Sequence, residues 1–162
     1  GKILDLLDEE NEGRIFQAKI TSHLNFPIIN KLTYRLGLFG GLTIGDNLPN
    51  YYKYRIGGAF SQNLGNFTPF QGYEFGQISS ENLFIASNSF QYNVYKNYFL
   101  EGNVSFANFF NDLKVDDIFH VTATSAGVTA GYKSPFGQIK FNFSRSITLE
   151  NNIFSVILGH SF

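Results

Sequence analysis

The sequence predicts an all-β fold, an antiparallel transmembrane β-barrel, and three observations carry that expectation. Apolar and polar residues alternate with period two in one segment after another. The alternating runs reach 10–13 residues, longer than the five or six or so usual in soluble sheets and long enough to cross a bilayer at a tilt. Aromatic residues make up 17% of the chain, 19 Phe and 9 Tyr with no Trp, and these side chains favour strands and membrane interfaces.

The first expected strand, 14–26, sets Phe16, Ala18, Ile20, Leu24 and Phe26 against Gln17, Lys19, Thr21, His23 and Asn25, with Ser22 the one exception. A helix would scatter these residues around its circumference. The second, 31–44, sets Leu32, Tyr34, Leu36, Leu38 and Leu42 against Lys31, Thr33, Arg35, Gly37 and Thr43. The third, 52–62, sets Tyr54, Ile56 and Phe60 against Lys53, Arg55 and Ser61. In the fourth, 82–95, Phe84, Ala86, Phe90 and Tyr92 oppose Ser87, Ser89, Gln91 and Asn93, and Asn88 interrupts the apolar side. The fifth, 98–109, has Tyr98, Leu100, Val104 and Phe106 against Glu101, Asn103 and Ser105. After a weaker sixth at 119–132, the seventh, 136–146, has Ile139, Phe141 and Phe143 against Lys140, Asn142 and Ser144. The eighth, 152–162, sets Phe154, Val156, Leu158 and Phe162 against Ser155, Gly159 and Ser161.

Residues 1–12, with the acidic run Asp8-Glu9-Glu10-Asn11-Glu12, read as a turn or linker, and 13–162 as the barrel region. Tyr95-Lys96-Asn97 and Lys133-Ser134-Pro135 read as tight turns, whereas 63–81 and 110–118 are loops rich in Asn, Gly, Asp and Pro. With eight strands and the tight turns on the periplasmic side, the strand parity puts Gly45 to Tyr51 and the acidic run on that side too. It puts Phe26 to Asn30 outside.

Alternation by itself fits a soluble β-sandwich or a lipocalin-like barrel as well. Strand length argues against these, as do the aromatics near strand ends, among them Phe16, Phe26, Tyr34, Tyr98, Phe106 and Tyr132, which suit girdles at two interfaces. The apolar alternation Phe154, Val156, Leu158 up to Phe162, with no polar tail, points the same way.

Composition removes several function classes. With 12 basic and 13 acidic residues the net charge is −1, so there is no basic field for nucleic acid. Zero cysteines leave no disulfide or thiolate site, and His23, His120 and His160 are too scattered for a metal centre. No run of 18 apolar residues exists to span a membrane as a helix. The start, Gly1-Lys2-Ile3-Leu4-Asp5, lacks the pattern of a signal peptide and fits either a processed chain or an internal fragment.

Nothing in the chain reads as catalytic, and no cofactor is expected. Thr124-Ser125-Ala126-Gly127 lacks the first glycine of a nucleophile elbow, so Ser125 reads as a strand residue. Gly40-Gly41 and Gly57-Gly58 match no phosphate loop and read as bends or close-packing points of a barrel wall. Lys19, Arg35, Arg55, Glu101 and Lys140 fall on the lumen side of the expected strands and read as a polar, mutually neutralising lining. His160 falls on the apolar face and reads as interfacial.

Ile56-Gly57-Gly58-Ala59-Phe60 followed by Asn66-Phe67-Thr68-Pro69-Phe70-Gln71-Gly72-Tyr73-Glu74-Phe75 resembles the C-terminal barrel of the BamA/TamA surface-antigen superfamily. In that superfamily a Gly-Gly strand precedes a long loop whose Arg-Gly-Phe/Tyr tip folds into the lumen. Here the tip is Phe70, Gln71, Gly72 and Tyr73, with Gln71 where the Arg would stand. The variant Pro-Phe-x-Gly-Tyr-x-Phe, with Gln91-Tyr92, Tyr95-Lys96-Asn97-Tyr98 and Asn103 to Asn108, looks more like the barrel of Bacteroidetes-type patatin-like phospholipases. Residues 131–140 and 158–162 resemble the last two strands of the superfamily. Phe154, Val156, Leu158 and Phe162 are similar to the C-terminal signal read by the barrel-assembly machinery.

The resemblance spans about residues 52–162. It implies a parent with a periplasmic patatin domain carrying a Ser–Asp dyad, a small linking domain and a sixteen-stranded barrel, of which this chain supplies the C-terminal half. The implied location is the bacterial outer membrane, where the chain anchors or conducts for the upstream domain. The implied partners are outer-membrane lipids, the barrel-assembly machinery, and the remainder of its own barrel or another chain. The competing expectations are a complete eight-stranded barrel with a structural or adhesive role, and an insertase or translocation pore.

Overall fold

The computed structural model describes residues 15–45, 49–59, 65–110 and 121–159. Seven strands form one antiparallel sheet: β1 (Phe16–Ile29), β2 (Leu32–Ile44), β6 (Asn82–Tyr95), β7 (Tyr98–Phe110), β8 (Ala123–Ser134), β9 (Gly137–Ser146) and β10 (Asn151–Gly159). Their spatial order is β1-β2-β6-β7-β8-β9-β10, so every neighbour is also the next wall strand in the chain. β1 and β10 are the two ends of the described sheet and do not pair with each other. The connection from β2 to β6 carries a second, small sheet of β3 (Tyr54–Ile56), β4 (Phe67–Thr68) and β5 (Ile78–Ser80), in which β3 runs parallel to β4 and antiparallel to β5.

The two faces of the large sheet invert the rule for soluble proteins. Along β9, Phe141 and Phe143 are 49% and 54% exposed, while the alternate Asn142, Ser144 and Ser146 are at most 1% exposed. The same phase runs across the ladder: Val156↔Phe141↔Ala130↔Leu100 is one outer row, and Ser155↔Asn142↔Thr129↔Glu101 is the inner row beside it. A soluble sandwich or lipocalin-like barrel would bury its phenylalanines and wet its asparagines. Here no other described element packs on the apolar face, as a lipid-facing wall requires.

Asn88, the polar interruption on the outer face, is satisfied within that face. The Tyr34 hydroxyl donates to its Oδ1 at 2.6 Å, so the side-chain carbonyl is not left unpaired toward hydrocarbon. Tyr34 also stacks between Phe26 and Phe90, at 6.0 and 5.0 Å between ring centroids.

The expected strand at 52–62 is the main departure. Of its described residues, 52–59, only Tyr54–Ile56 form a strand, and it belongs to the small sheet and not to the wall. Three alternating residues, Tyr54, Arg55 and Ile56, carry the same period as a wall strand, but Tyr54 and Ile56 are fully buried where a wall residue would be lipid-exposed. Gly57 and Gly58, at φ 136 and 86, end this strand inside the small sheet, so they are not wall residues.

Losing that strand reverses the expected parity. The turns at Asn30–Lys31, Lys96–Asn97 and 135–136 now lie at one end of the sheet, where Asn93 N donates to Lys31 O and Lys133 N to Asn97 O. Phe26 to Asn30 therefore shares the tight-turn end instead of facing the opposite side. The connection leaving β2 at Gly45 starts from the long-connection end, with the links from β7 to β8 and from β9 to β10. The acidic run and the terminal His160, Ser161 and Phe162 lie outside the described residues.

Candidate functional site

The candidate site is the inner face, which the β2–β6 connection partly fills. A cluster of buried side chains joins the two: Tyr54, Ile56, Phe70 and Tyr73 from the connection pack with Phe39, Leu83, Ile85, Ala107 and Ala123 from the wall. All five wall residues lie toward the long-connection end of their strands, so the connection is a plug over that half.

Glycines on the inner face make room for the plug. Gly41 sits beneath the Tyr54 ring, so close that a β-carbon there would stand 2.6 Å from Cζ. The Tyr54 hydroxyl donates to Ala18 O at 3.2 Å, and burial pushes the phenol above its ordinary range, against hydrogen bonds to Thr43 and Gln17 that act the other way. Around the same contact Gln17 Nε2 donates to Tyr52 O at 3.0 Å, and Lys19 Nζ to Gly65 O and Asn66 Oδ1 at 2.5 and 2.8 Å. Gly131 accepts the Phe99 ring in the same manner within the wall.

The tip Phe70, Gln71, Gly72 and Tyr73 lies across β7, β8 and β9. Gly72, at φ 78, approaches the β9 backbone so closely that a β-carbon would meet Ser146 N at 2.6 Å, a place only glycine fills without strain. Its amide donates to Ser144 Oγ at 3.1 Å. Gln71 Oε1 rests over Gly127, which also faces Asn103 and Ser144. Gln71 Oε1, Asn103 Oδ1 and Nδ2, Ser125 Oγ and Asn142 Oδ1 are buried with no hydrogen-bond partner among the described residues. The tip is thus seated by shape and one amide bond, in a neutral polar seat.

The remaining charged lining is distributed as follows. Arg35 and Glu101 form an ion pair at 3.2 Å beside a hollow of about 210 Å³ lined also by His23, Asn25, Ser87 and Ser89. Lys19 turns to the plug's carbonyls instead of an acid, and Lys140 lies on the same inner face opposite Ile157 and Gly131. Arg55 is not a wall residue: it is exposed on β3, and the plug's own ion pair is Lys53–Glu81 at 3.3 Å. Among the described wall strands the inner face holds Lys19, Arg35, Lys133 and Lys140 against Glu101, so its charge is cationic and not mutually neutralising.

Phe154, Val156 and Leu158 lie on the outer face, paired with Phe143, Phe141 and Ile139. Ser125 is an inner-face strand residue of β8, fully buried. Gly41 is a close-packing point, one of the two readings offered for Gly40-Gly41, but sequence reasoning missed the seats at Gly127 and Gly131. The available signal was glycine recurring at odd positions of the polar face, where no side chain was needed because another one docks there.

An antiparallel wall with an apolar outer face, a polar inner face and an inward-folded plug defines a β-barrel membrane protein, and the seven described wall strands form an open sheet of it. The OMP85 superfamily model matches residues 7–162, so the chain belongs to that superfamily, whose members are outer-membrane proteins of Gram-negative bacteria. No curated protein sequence matches the chain.

Proposed function

We propose that this chain is the membrane-embedded barrel region of a patatin-like outer-membrane protein, working as a plugged anchor for a lipid-acyl hydrolase domain elsewhere in that protein. The observation that carries the reading is the tip Pro69-Phe70-Gln71-Gly72-Tyr73-Glu74-Phe75 in a neutral seat. Asn103, Ser125, Asn142 and Ser144 offer no charge there, and Glu101 on the same face of β7 is held by Arg35. An arginine at position 71 would bury a charge without a partner, which argues against the insertase-type tip. Membership of the OMP85 superfamily supports residence in the outer membrane.

With the short turns toward the periplasm, as in outer-membrane barrels generally, the plug closes the outer half of the inner face. That favours a mount over an open conduit. Phe154, Val156, Leu158 and Phe162 serve the barrel-assembly machinery during insertion in this reading, and upstream strands complete the wall at β1. The test is made on the intact protein, with a fluorophosphonate probe for a reactive serine and conductance in a planar bilayer. A labelled serine outside these 162 residues and a silent bilayer are expected. A protein with no reactive serine overturns the patatin assignment, and steady conductance by the unaltered protein overturns the plugged anchor.

A further inference from the structure

The three tight turns share a feature that folding does not demand. Each hairpin at that end carries one exposed lysine, Lys31, Lys96 or Lys133, and the segments 27–33, 93–99 and 132–138 contain no Asp or Glu. Lys96 stands at φ 45, a left-handed position that conformation alone would assign to glycine or asparagine. Its Nζ sits 5.1 Å from the Tyr95 ring centroid, at the level where interfacial aromatics meet headgroups.

Beside Tyr95 is a hollow of about 510 Å³ lined also by Val94, Tyr98, Leu100, Ala130 and Phe141. It exists because Ala130, between Leu100 and Phe141 in one outer row, is small. A second hollow at the same rim is lined by Ile29, Asn30, Lys31 and Tyr92. The second hollow thus joins Ile29 and Tyr92 to Lys31, and the first is bordered by Tyr95, whose ring Lys96 covers.

We propose that this rim binds anionic phospholipid, phosphatidylglycerol in kind, in the leaflet at the tight-turn end: Lys31 and Lys96 engage the headgroup phosphates, and an acyl chain lies in the hollow over Ala130. A lysine attracts an anionic headgroup where a zwitterionic lipid offers a compensating ammonium, and the attraction falls off within a Debye length. The chemistry is independent of any upstream enzyme domain.

The experiment uses the full-length protein in phosphatidylcholine nanodiscs carrying spin-labelled phosphatidylglycerol or spin-labelled phosphatidylcholine, reading the motionally restricted lipid. A preference of about fivefold for phosphatidylglycerol is expected, falling with salt. It drops to about one in the variant Lys31→Gln, Lys96→Asn, whose asparagine suits the left-handed turn and whose folding is checked by heat-modifiable mobility. Ala130→Leu fills the hollow and lowers the restricted fraction while keeping the charges. Equal association of the two lipids, or a preference unchanged in the double variant, overturns the proposal. An unchanged restricted fraction in Ala130→Leu overturns the chain seat. Displacement by inorganic phosphate at constant ionic strength identifies a free-anion site and overturns the lipid.

Discussion

Replacing Gly41 by alanine isolates the docking of the plug from the integrity of the wall. The added β-carbon would stand 2.6 Å from Tyr54 Cζ and 2.9 Å from both Cε atoms, against about 3.5–4.0 Å for comfortable carbon contact. The ring has no room to yield: Tyr54 is fully buried, and Phe39 meets it edge-on at 6.1 Å. Overpacking of this kind costs about 1–3 kcal/mol, and at about 1.4 kcal/mol per tenfold the undocked population rises roughly 5- to 150-fold. The wall itself is spared, because alanine suits a strand at least as well as glycine and Gly41 keeps its ladder partners Lys19 and Leu83. Maleimide labelling of Gln71→Cys on whole cells reads the undocked state, and its rate should rise by that factor. On a Tyr54→Ala background the same change should add little, since the clashing ring is gone. An unaltered rate in Gly41→Ala, or full additivity with Tyr54→Ala, would refute the seat.

Three further outcomes follow from the register. Leu36→Arg puts a charge on the outer face in mid-strand and should cost about 2–4 kcal/mol, whereas Leu158→Arg, close to the tight-turn end, should cost about 0–1 kcal/mol. Membrane levels and urea unfolding compare the two, and equal losses would contradict the depth assignment. Tyr34→Phe leaves Asn88 Oδ1 without its donor on the lipid face, a loss of about 1–3 kcal/mol that Asn88→Leu should recover; an unstable double variant contradicts the pairing. Arg35→Ala should change stability by less than about 1 kcal/mol, because the pair is solvent-screened at 42% and 19% side-chain exposure. A larger loss in the Arg35/Glu101 double-mutant cycle would assign that pair a structural role.

Most of the wall was legible because period two is a property of each strand by itself. The outer and inner sets of β1, β2, β6, β7, β9 and β10 follow directly from their alternation. The plug was not legible for the same reason. Tyr54-Arg55-Ile56 alternates as a wall strand does, and nothing within three residues says whether Tyr54 meets lipid or Gly41. The discriminating signal is spread over the connection: Gly57, Gly58, Gly65, Gly72 and Gly76 all adopt positive φ, a density of turns that a 10-residue wall strand does not tolerate. Parity inherits the error, since removing one strand moves the β1–β2 turn to the opposite end. At the tip, the motif located Phe70 to Tyr73, but its seat depends on Gly127, Asn103 and Ser144 from three different strands. Only tertiary structure brings those together.

The apolar face is the outside of the wall and the polar face its plugged interior. Nitroxide scanning of 139–146 along β9 tests it in the membrane-embedded protein, comparing collision with oxygen, which concentrates in lipid, and with a polar nickel chelate. Oxygen access should peak at positions 139, 141 and 143 and fall at 140, 142, 144 and 146, in antiphase with the polar quencher. The reversed phase, or no period of two, would contradict the account.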